Sequence, residues 1–429
     1  MRKHPARKSF RGKGRGVVAA NEEQQILPLV EVIVSLKDGL RELVVQSGME
    51  VVQKLLEEDR KRVCGPARKK QEEREAYRWG YDQGQLVMGG RKVCLPKPRV
   101  RTVYGQELAL PRWAAFEKTD PLEQRVIEQI LCGVSTRKYE RSLEPLDQAR
   151  HSIGVKKSSV SRRFVAATAG KVNEFLQRPL DGLDLRIILI DGIHLGEHLV
   201  LGVMGIDAEG NKHILGLCDG PAESEQVCRG LMRNLIERGL KVERARLFVM
   251  DGSKGLRKAI REVFGPWAKI QRCQVHKMRN VLEHLPESKR PWVRAKINRA
   301  WQQRDPQVAK AELEQLARSL ERDYPGAAAS LREGLDETLT VITLGAKGTL
   351  RQTLCSTNPI ENLQGTIRRI TRNVKRWRSG SMVIRWMGTA LMEAETRFRR
   401  IRGYRDLPDF LAALDRAVSG SESSERRVA

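Results

Sequence analysis

Two aspartates follow short apolar runs of the same kind. Residues 188–190 precede Asp191, residues 247–250 precede Asp251, and a glycine follows each aspartate. A short apolar run bounded by turn signals is typical of a strand that is buried on both faces. An acid at the carboxyl end of such a strand lies where open α/β sheets bind their ligands. Each Asp-Gly pair alone is more often a turn than part of a catalytic site, so these aspartates need support from the rest of the chain.

A third acid, Glu361, is predicted to lie in the first turn of a helix, because Ser, Thr, Asn and Pro at 356–359 are helix-start signals. Carboxylates that lie close together repel unless a cation lies between them. With Asp191 and Asp251, Glu361 would form an oxygen-rich site suited to Mg²⁺ or Mn²⁺. Two such ions about 3.5–4 Å apart can activate water or a 3′-hydroxyl and stabilise the leaving oxygen of a phosphodiester.

The elements that would hold these acids alternate between strands and helices. Strands are predicted at 185–190, 199–206, 213–217, 246–250 and 268–274, and helices at 223–238, 253–264 and 276–285. The order β-β-β-α-β-α-β-α predicts a mixed sheet with helices on both faces, as in ribonuclease H-like cores. In such a sheet the first and fourth strands are central neighbours, so Asp191 and Asp251 can approach each other.

The predicted α/β core is interrupted by an all-α insertion. Residues 181–286 form its first part, 287–348 the helical insertion, 349–405 its second part, and 406–429 a C-terminal tail that is disordered from 419. The segment 287–348 is too long to be a plain loop in a compact domain. Trp292 and Trp301 of the insertion are expected in its core, with base stacking as the alternative.

The region before the core is predicted to be mainly α-helical and to bind DNA. Residues 1–20 read as a disordered basic arm, 21–118 as a helical region with a short hairpin at 89–103, and 119–180 as a helix-turn-helix-like region. Helices at 121–131, at 135–149 and from 158 support the last assignment. The expected DNA-reading residues lie at the start of the third helix: Ser159, Ser161, Arg162 and Arg163. The alternative is an ordinary three-helix bundle with a polar face.

Composition favours nucleic acid as the partner. Lys and Arg number 79 against 53 acids, a net charge of +26; an anionic membrane surface is the second candidate. No apolar run is long enough to span a membrane, no secretory signal is expected, and the seven scattered cysteines suit reduced thiols, so a cytoplasmic, nucleoid-associated protein is expected. Further basic residues expected to hold the DNA backbone are Arg368, Arg369, Arg372, Lys375, Arg376 and Arg378.

Four ordered motifs resemble those of the bacterial Mutator-type insertion-sequence transposases. They are IDG at 190–192, VMDGSKG at 249–255, QRCQVHKMRN at 271–280 and STNPIE at 356–361. The resemblance runs from about residue 75 to residue 400. It implies a ribonuclease H-like core with a helical insertion before the last acid, and a DDE triad of metal ligands at Asp191, Asp251 and Glu361. It further implies that the chain cleaves DNA at the terminal inverted repeats of its element, joins them to target DNA, and acts at least as a homodimer on two ends.

The third motif also contains a Cys-x-x-His pair, Cys273 and His276. The spacing resembles half a zinc site, but zinc takes four ligands and no partner pair is evident. In similar transposases this pair recurs after the second acid, which implies a structural or DNA-positioning role for Cys273, His276, Arg279 and Asn280.

Two further histidines, His194 and His198, follow the first predicted strand. We expect them to form a strand-edge polar face, with phosphate or metal contact as the alternative. Two functional alternatives also remain: a structure-selective nuclease or resolvase on the same fold, and a DNA-binding regulator without catalysis.

Overall fold

The computed structural model describes residues 43–67, 75–88, 90–118, 123–144, 146, 153–220 and 224–425. They divide into two compact units, one of residues 1–129 and 134–163 and the other of 130–133 and 164–429. The predicted basic arm, residues 1–20, lies outside the described residues.

The first unit combines helices with a three-stranded antiparallel sheet. Its elements are α1 (residues 43–64), β1 (Ala76–Met88), β2 (Arg91–Thr102), β3 (Glu107–Leu108), α2 (Pro111–Lys118) and most of α3 (Glu123–Leu131). The order is β1-β2-β3, and α1 packs on the sheet through a core that includes Leu56, Leu95 and Trp113. The observed hairpin is therefore longer than the one predicted at 89–103: the predicted range covers β2, and the first strand of the hairpin, β1, begins at Ala76.

The helix predicted at 135–149 is absent from the described part of that range. Residues 136–139 form turns and Glu140–Ser142 a 3₁₀ helix. Lys138 N–H donates to Ser135 Oγ over 3.3 Å, which is the contact of a helix N-cap, but in the described residues up to 144 it leads into turns and the 3₁₀ helix. Ser142 Oγ donates to Tyr139 O over 2.6 Å. The buried Tyr139 hydroxyl donates to Gly90 O, which fixes this irregular segment on the sheet. The next helix, α4 (Lys157–Gln177), starts where a third helix is predicted.

The second unit contains the predicted mixed sheet. Its first elements are β4 (Leu185–Leu195), β5 (His198–Asp207), β6 (Lys212–Asp219), α5 (Glu225–Glu237), β7 (Arg246–Met250), α6 (Lys254–Phe264), β8 (Ala268–Arg272) and α7 (Gln274–Glu283). The sheet order is β6-β5-β4-β7-β8, with β4, β7 and β8 parallel and β5 antiparallel to β4 and β6. The predicted element order and the central pairing of the first and fourth strands are confirmed.

Alternate residues of β4 enter two different hydrophobic clusters, so helices cover both faces of the sheet. Ile188 and Ile190 pack with α5 and α6, whereas Ile187 and Leu189 pack with later helices of the chain. Side chains of a strand point alternately to its two faces. The continuous apolar runs read from the sequence are thus the signature of strands buried on both sides.

The remaining elements are helical. They are α8 (Arg290–Gln302), α9 (Pro306–Glu321), α10 (Pro325–Arg332), α11 (Leu335–Thr343), α12 (Gly348–Leu354), α13 (Asn358–Thr371), α14 (Gly380–Glu395) and α15 (Leu407–Glu425). Helices α8 to α11 enclose a separate core with α7, as the predicted insertion requires. Trp301 belongs to that core, but Trp292 is 48% exposed, so the prediction of a buried Trp292 is wrong.

Residues 407–425 form α15 instead of the predicted tail. Leu407, Phe410, Leu414 and Val418 recur at helical spacing, and all four are buried in the cluster on one face of the mixed sheet. This apolar stripe stabilises the helix through packing. In the part of the chain that is described, no helix combines the length and apolar character needed to cross a membrane.

Candidate active site

Strands β4 and β7 bring the two aspartates together. Their parallel pairing ends with Ile190 opposite Met250, so Asp191 and Asp251 follow as neighbours at the same point. The sequence predicts that the first strand ends at residue 190, but β4 continues to Leu195 because its other edge still pairs with β5. Asp191 therefore lies where the parallel ladder ends, within the strand.

Each aspartate is oriented by a backbone amide that follows it. Gly192 N–H donates to Asp191 Oδ1 over 2.9 Å, and Ser253 N–H donates to Asp251 Oδ1 over 3.0 Å. Ser253 also begins α6, where its hydroxyl accepts from Leu256 N–H. These contacts occupy one oxygen of each carboxylate.

Glu361 reaches the same cleft from the first turn of α13. Thr357 Oγ1 donates to Glu361 Oε1 over 3.0 Å, and Gln364 Nε2 donates to Gly192 O over 3.2 Å. The second contact ties α13 to β4 beside Asp191. The three acids line one cleft of about 890 Å³, so the prediction that they come together agrees with the geometry.

The electrostatics of Asp191 fit a cation site. Its side chain is buried and its Oδ2 has no hydrogen-bond partner. Burial raises its pKa to about 6, and the charges of Asp251 and Glu361 act in the same direction while His276 opposes them. A buried carboxylate oxygen without a partner, facing two more carboxylates, is a donor set that suits a hard divalent cation such as Mg²⁺.

Cys273 and His276 stand beside Glu361 rather than forming a separate site. Their ligand atoms and one from Glu361 lie within 4.8 Å of one another. His276 Nε2 is 3.7 Å from Glu361 Oε1, and Thr357 donates to Cys273 Sγ through its amide over 3.4 Å. Cys273 N–H donates to Met250 O over 2.7 Å, which joins the start of α7 to the end of β7.

The Cys273–His276 pair is polarised. The pKa of His276 is raised to about 9, mainly by the hydrogen bond with Cys273 against the effect of burial, and the charges of Asp191 and Glu361 contribute in the same direction. Burial by itself would raise the pKa of the Cys273 thiol, but hydrogen bonds with His276 and Thr357 lower it overall. The raised pKa favours the protonated ring of His276, whose positive charge next to Glu361 would partly offset the repulsion among the three acids.

Arg272 and Lys277, in the same motif, attach the helical insertion to the sheet. Arg272 Nη1 donates to Glu333 O over 2.9 Å, and its Nη2 donates to Glu333 Oε2 over 3.2 Å. The buried Lys277 ammonium donates to Ser330 O at the end of α10. Sequence reasoning missed this role, although two basic residues beside the Cys-x-x-His pair were a signal that could have drawn attention to it.

Gly252 is explained by the same contact. A Cβ at this position would lie only 2.1 Å from Arg272 Nη2. Glycine therefore leaves room for the guanidinium against the backbone that follows Asp251.

The cleft contains further basic and polar side chains. Arg279, Asn280 and His194, which the sequence singles out, line it, and Lys254 and Gln364 line it without having been predicted. His198 is not among the lining residues; its Nδ1 lies 3.9 Å from Asp219 Oδ1.

The expected DNA-reading residues of α4 differ in their surroundings. Ser161 and Arg162 are exposed, whereas Ser159 and Arg163 are half-buried. Arg163 Nη1 donates to Gly90 O over 2.8 Å, so part of its role is structural. DNA contact by these four residues stays a prediction.

The basic residues after the third acid are all exposed. Arg368 and Arg369 lie on α13, Arg372 at its end, and the others in the irregular segment before α14: Lys375, Arg376 and Arg378. Trp377 packs against the turn between β4 and β5, where a Cβ at Gly196 would lie 2.8 Å from its ring. The segment is thus held to the sheet while its charges face solvent, and its DNA contact stays a prediction.

Two central strands and one helix bring three carboxylates into a partly basic cleft. This arrangement is typical of α/β proteins that act on nucleic acids through bound cations. The sequence model described as "Transposase, Mutator family" matches residues 20–400. The chain therefore belongs to the Mutator family of transposases, and the predicted resemblance is confirmed.

Individual relatives are transposases of insertion sequences. The transposase for ISRM5 of Rhizobium meliloti (strain 1021) is 28% identical over 88% of this chain and 93% of its own length. The transposase for IS1081 of Mycobacterium tuberculosis is 29% identical over 85% and 88%, respectively. The transposase for IS6120 of Mycolicibacterium smegmatis is 31% identical over 57% and 75%. These relatives support a DNA transposase function for the chain.

Proposed function

We propose that this transposase binds the terminal inverted repeats of its insertion sequence, cleaves the DNA there and joins the ends to target DNA. Asp191, Asp251 and Glu361 would act as a DDE triad that holds Mg²⁺ or Mn²⁺, most simply two ions. The observation that carries the proposal is the buried Asp191 Oδ2 without a partner, in one cleft with the other two acids. The sheet order β6-β5-β4-β7-β8 supports a ribonuclease H-like core.

When bound, the cations supply an activated water or 3′-hydroxyl and stabilise the leaving oxygen of the phosphodiester. The protein's own residues position the reactants. Lys254 and Arg279 line the cleft and can neutralise phosphate oxygens. Thr357 and His276 fix the orientation of Glu361 through the contacts at 3.0 and 3.7 Å.

DNA recognition would use the basic surface around the cleft and the start of α4, where Ser161 and Arg162 are exposed. Binding of this kind is salt-dependent, because the protein displaces condensed counterions from the phosphates. Two element ends react in one transposition event, which requires at least a dimer on DNA. Association with the nucleoid follows from such binding.

The test is a cleavage and strand-transfer assay with a duplex that carries one element end. Asp191→Asn, Asp251→Asn and Glu361→Gln are each expected to abolish both reactions while DNA binding is largely retained, because each removes one cation ligand. Mg²⁺ should raise the melting temperature of the wild-type chain and leave that of Asp191→Asn unchanged. Joining at the wild-type rate by any one of the three variants would refute the triad.

The same assay separates the alternatives. A nuclease or resolvase would cleave the duplex but leave no joined product. A regulator would bind the duplex and give neither product in the presence of Mg²⁺ or Mn²⁺.

A further inference from the structure

A groove adjoins the acidic cleft along α7. Two concavities, of about 580 and 450 Å³, share Gln274, Val275, Asn298 and Trp301 as lining residues and so form one continuous groove between α7 and α8. Arg279 lines both this α7–α8 groove and the cleft that contains the three acids. A strand that leaves the cleft past Arg279 therefore enters the groove.

Three buried polar atoms without a hydrogen-bond partner line the inner part of this groove. They are Trp301 Nε1, Arg351 Nη2 and Ser356 Oγ. Trp301 is 8% exposed and Ser356 is 3% exposed, so neither group is satisfied by bulk water. Buried donors almost always have an acceptor in native proteins, and three without one in a single pocket indicate a missing ligand that accepts hydrogen bonds.

The guanidinium of Arg351 is held ready for such a ligand. Its Nη1 donates to Gln303 O over 2.9 Å, which restrains the guanidinium, while its Nη2 has no hydrogen-bond partner. The neighbouring Cys355 thiol contacts Arg351 but supplies no counter-charge, because burial raises its pKa to about 12 against the charge and hydrogen bond of Arg351. Among the described residues that line this part of the groove, none is acidic.

The outer part of the groove is also basic. Arg279, Arg290 and Arg294 line it, with Glu283 as the one acid among the described lining residues. A ligand for the whole groove should therefore be an anion whose oxygens only accept hydrogen bonds. A phosphodiester meets this description, since each phosphate offers acceptor oxygens and one negative charge.

We propose that the α7–α8 groove binds a backbone phosphate of the DNA strand that enters the acidic cleft, through donation from Trp301, Arg351 and Ser356. The inference rests on the proposed function and names a subsite of it. Ser356 lies two residues before Asn358, the first residue of α13, and Glu361 lies in the first turn of that helix. A phosphate bound at Ser356 would fix the position of the strand along its axis relative to Glu361.

The first experiment measures binding of an end-containing duplex to the full chain by fluorescence anisotropy, without divalent cations, over a series of salt concentrations. Arg351→Gln is expected to weaken binding about 10-fold, through loss of one charge-assisted hydrogen bond. It should also make the slope of log K against log salt less steep by about 0.9, the value for one phosphate contact. Trp301→Phe and Ser356→Ala should each weaken binding roughly 3- to 10-fold and leave the slope unchanged, because they remove a neutral donor.

The matched control is Arg322→Gln, which makes the same charge change at a side chain that is 97% exposed in the insertion. It should keep the wild-type affinity and slope. Circular dichroism and the melting temperature establish that each variant is folded. Ser356→Ala removes a single oxygen, so the inference can still be tested if Trp301→Phe does not fold.

The second experiment replaces single phosphates of the duplex by neutral methylphosphonates. We expect one position at which the replacement weakens DNA binding by the wild-type chain but does not change DNA binding by the Arg351→Gln variant. Failure to find any such position, together with wild-type affinity and slope in all three groove variants, would overturn the inference. If the wild-type chain still cleaves and joins ends under those conditions, the proposed function stands without this subsite.

Free phosphate is the other source of the same chemistry, and calorimetric titration with inorganic phosphate alone distinguishes it. Saturable binding that Arg351→Gln abolishes, with unchanged DNA binding in that variant, would assign the groove to a small anion and overturn the DNA subsite. If the wild-type chain does not bind or cleave end-containing DNA at all, the proposed function fails and the inference fails with it.

Discussion

Gly252→Ala is expected to detach the helical insertion from the sheet. The new Cβ would lie 2.1 Å from Arg272 Nη2 and 2.6 Å from its Cζ. Those distances are far below van der Waals contact, and Arg272 is only 5% exposed, so the guanidinium must leave its place. Its two hydrogen bonds to Glu333 would then be lost.

The magnitude follows from those two bonds. A hydrogen bond from a charged group to a partly buried carbonyl contributes about 2 kcal/mol. The pair with the Glu333 carboxylate contributes about 1 kcal/mol, because that side chain is 44% exposed and water screens it. We therefore expect Gly252→Ala to lower the local stability of the insertion by about 3 kcal/mol, or roughly 100-fold in the opening equilibrium.

Hydrogen–deuterium exchange with mass spectrometry measures this opening directly. Peptides that cover the end of α10 and the start of α11 should exchange roughly 100-fold faster in Gly252→Ala than in the wild-type chain. Gly230→Ala is the matched control: nothing lies within 4 Å of its added Cβ, and Gly230 lies in α5, where alanine favours the helix. It should leave exchange in the insertion unchanged.

A double-mutant cycle tests the cause. If Gly252→Ala acts by expelling Arg272, its effect should vanish in an Arg272→Ala background, where the space is empty. Additive effects of the two substitutions on exchange would refute this reasoning, as would wild-type protection in Gly252→Ala.

Three further predictions concern other parts of the chain. Thr357→Val removes the hydroxyl that donates to Glu361 and should raise the Mg²⁺ concentration at the midpoint of the cleavage titration roughly 10- to 100-fold; an unchanged Mg²⁺ titration would contradict it. Arg162→Ala and Arg163→Ala should both weaken end binding, but only Arg163→Ala should lower the melting temperature, because Arg163 donates to Gly90 O; equal melting temperatures would contradict the structural part. Deletion of α15 should prevent the second unit from folding, since its buried stripe packs on the sheet; a soluble truncated chain with native circular dichroism would contradict this expectation.

Sequence patterns within a single strand or helix predicted the elements of the mixed sheet better than they predicted the ends of the chain's other elements. The strand predicted at 246–250 and the helix predicted at 253–264 agree with β7 and α6 to within one residue, and the predicted start of β4 at 185 is also correct. The tail prediction is wrong for residues 407–425, because apolar residues recur there at helical spacing and form the buried face of α15. The helix predicted at 135–149 is absent from residues 135–144, where the buried Tyr139 hydroxyl donates to Gly90 O, a tertiary contact that helix-start signals do not reveal.

The amino-acid sequence by itself determined the residues of the candidate site and the order of the elements that carry them. Asp191, Asp251 and Glu361 follow local signals, an apolar run or a helix start, and such signals depend on neighbours in the chain. The net charge of +26 likewise follows from composition and indicates nucleic acid as the partner.

Only the tertiary structure decided how these residues are supported. Three features depend on contacts between distant parts of the chain. They are the Asp191 Oδ2 without a partner, the anchoring of the insertion by Arg272 and Lys277, and the three unpaired donors of the α7–α8 groove. Burial and hydrogen-bond partners are set by packing across such contacts, and residue type and spacing do not encode them locally.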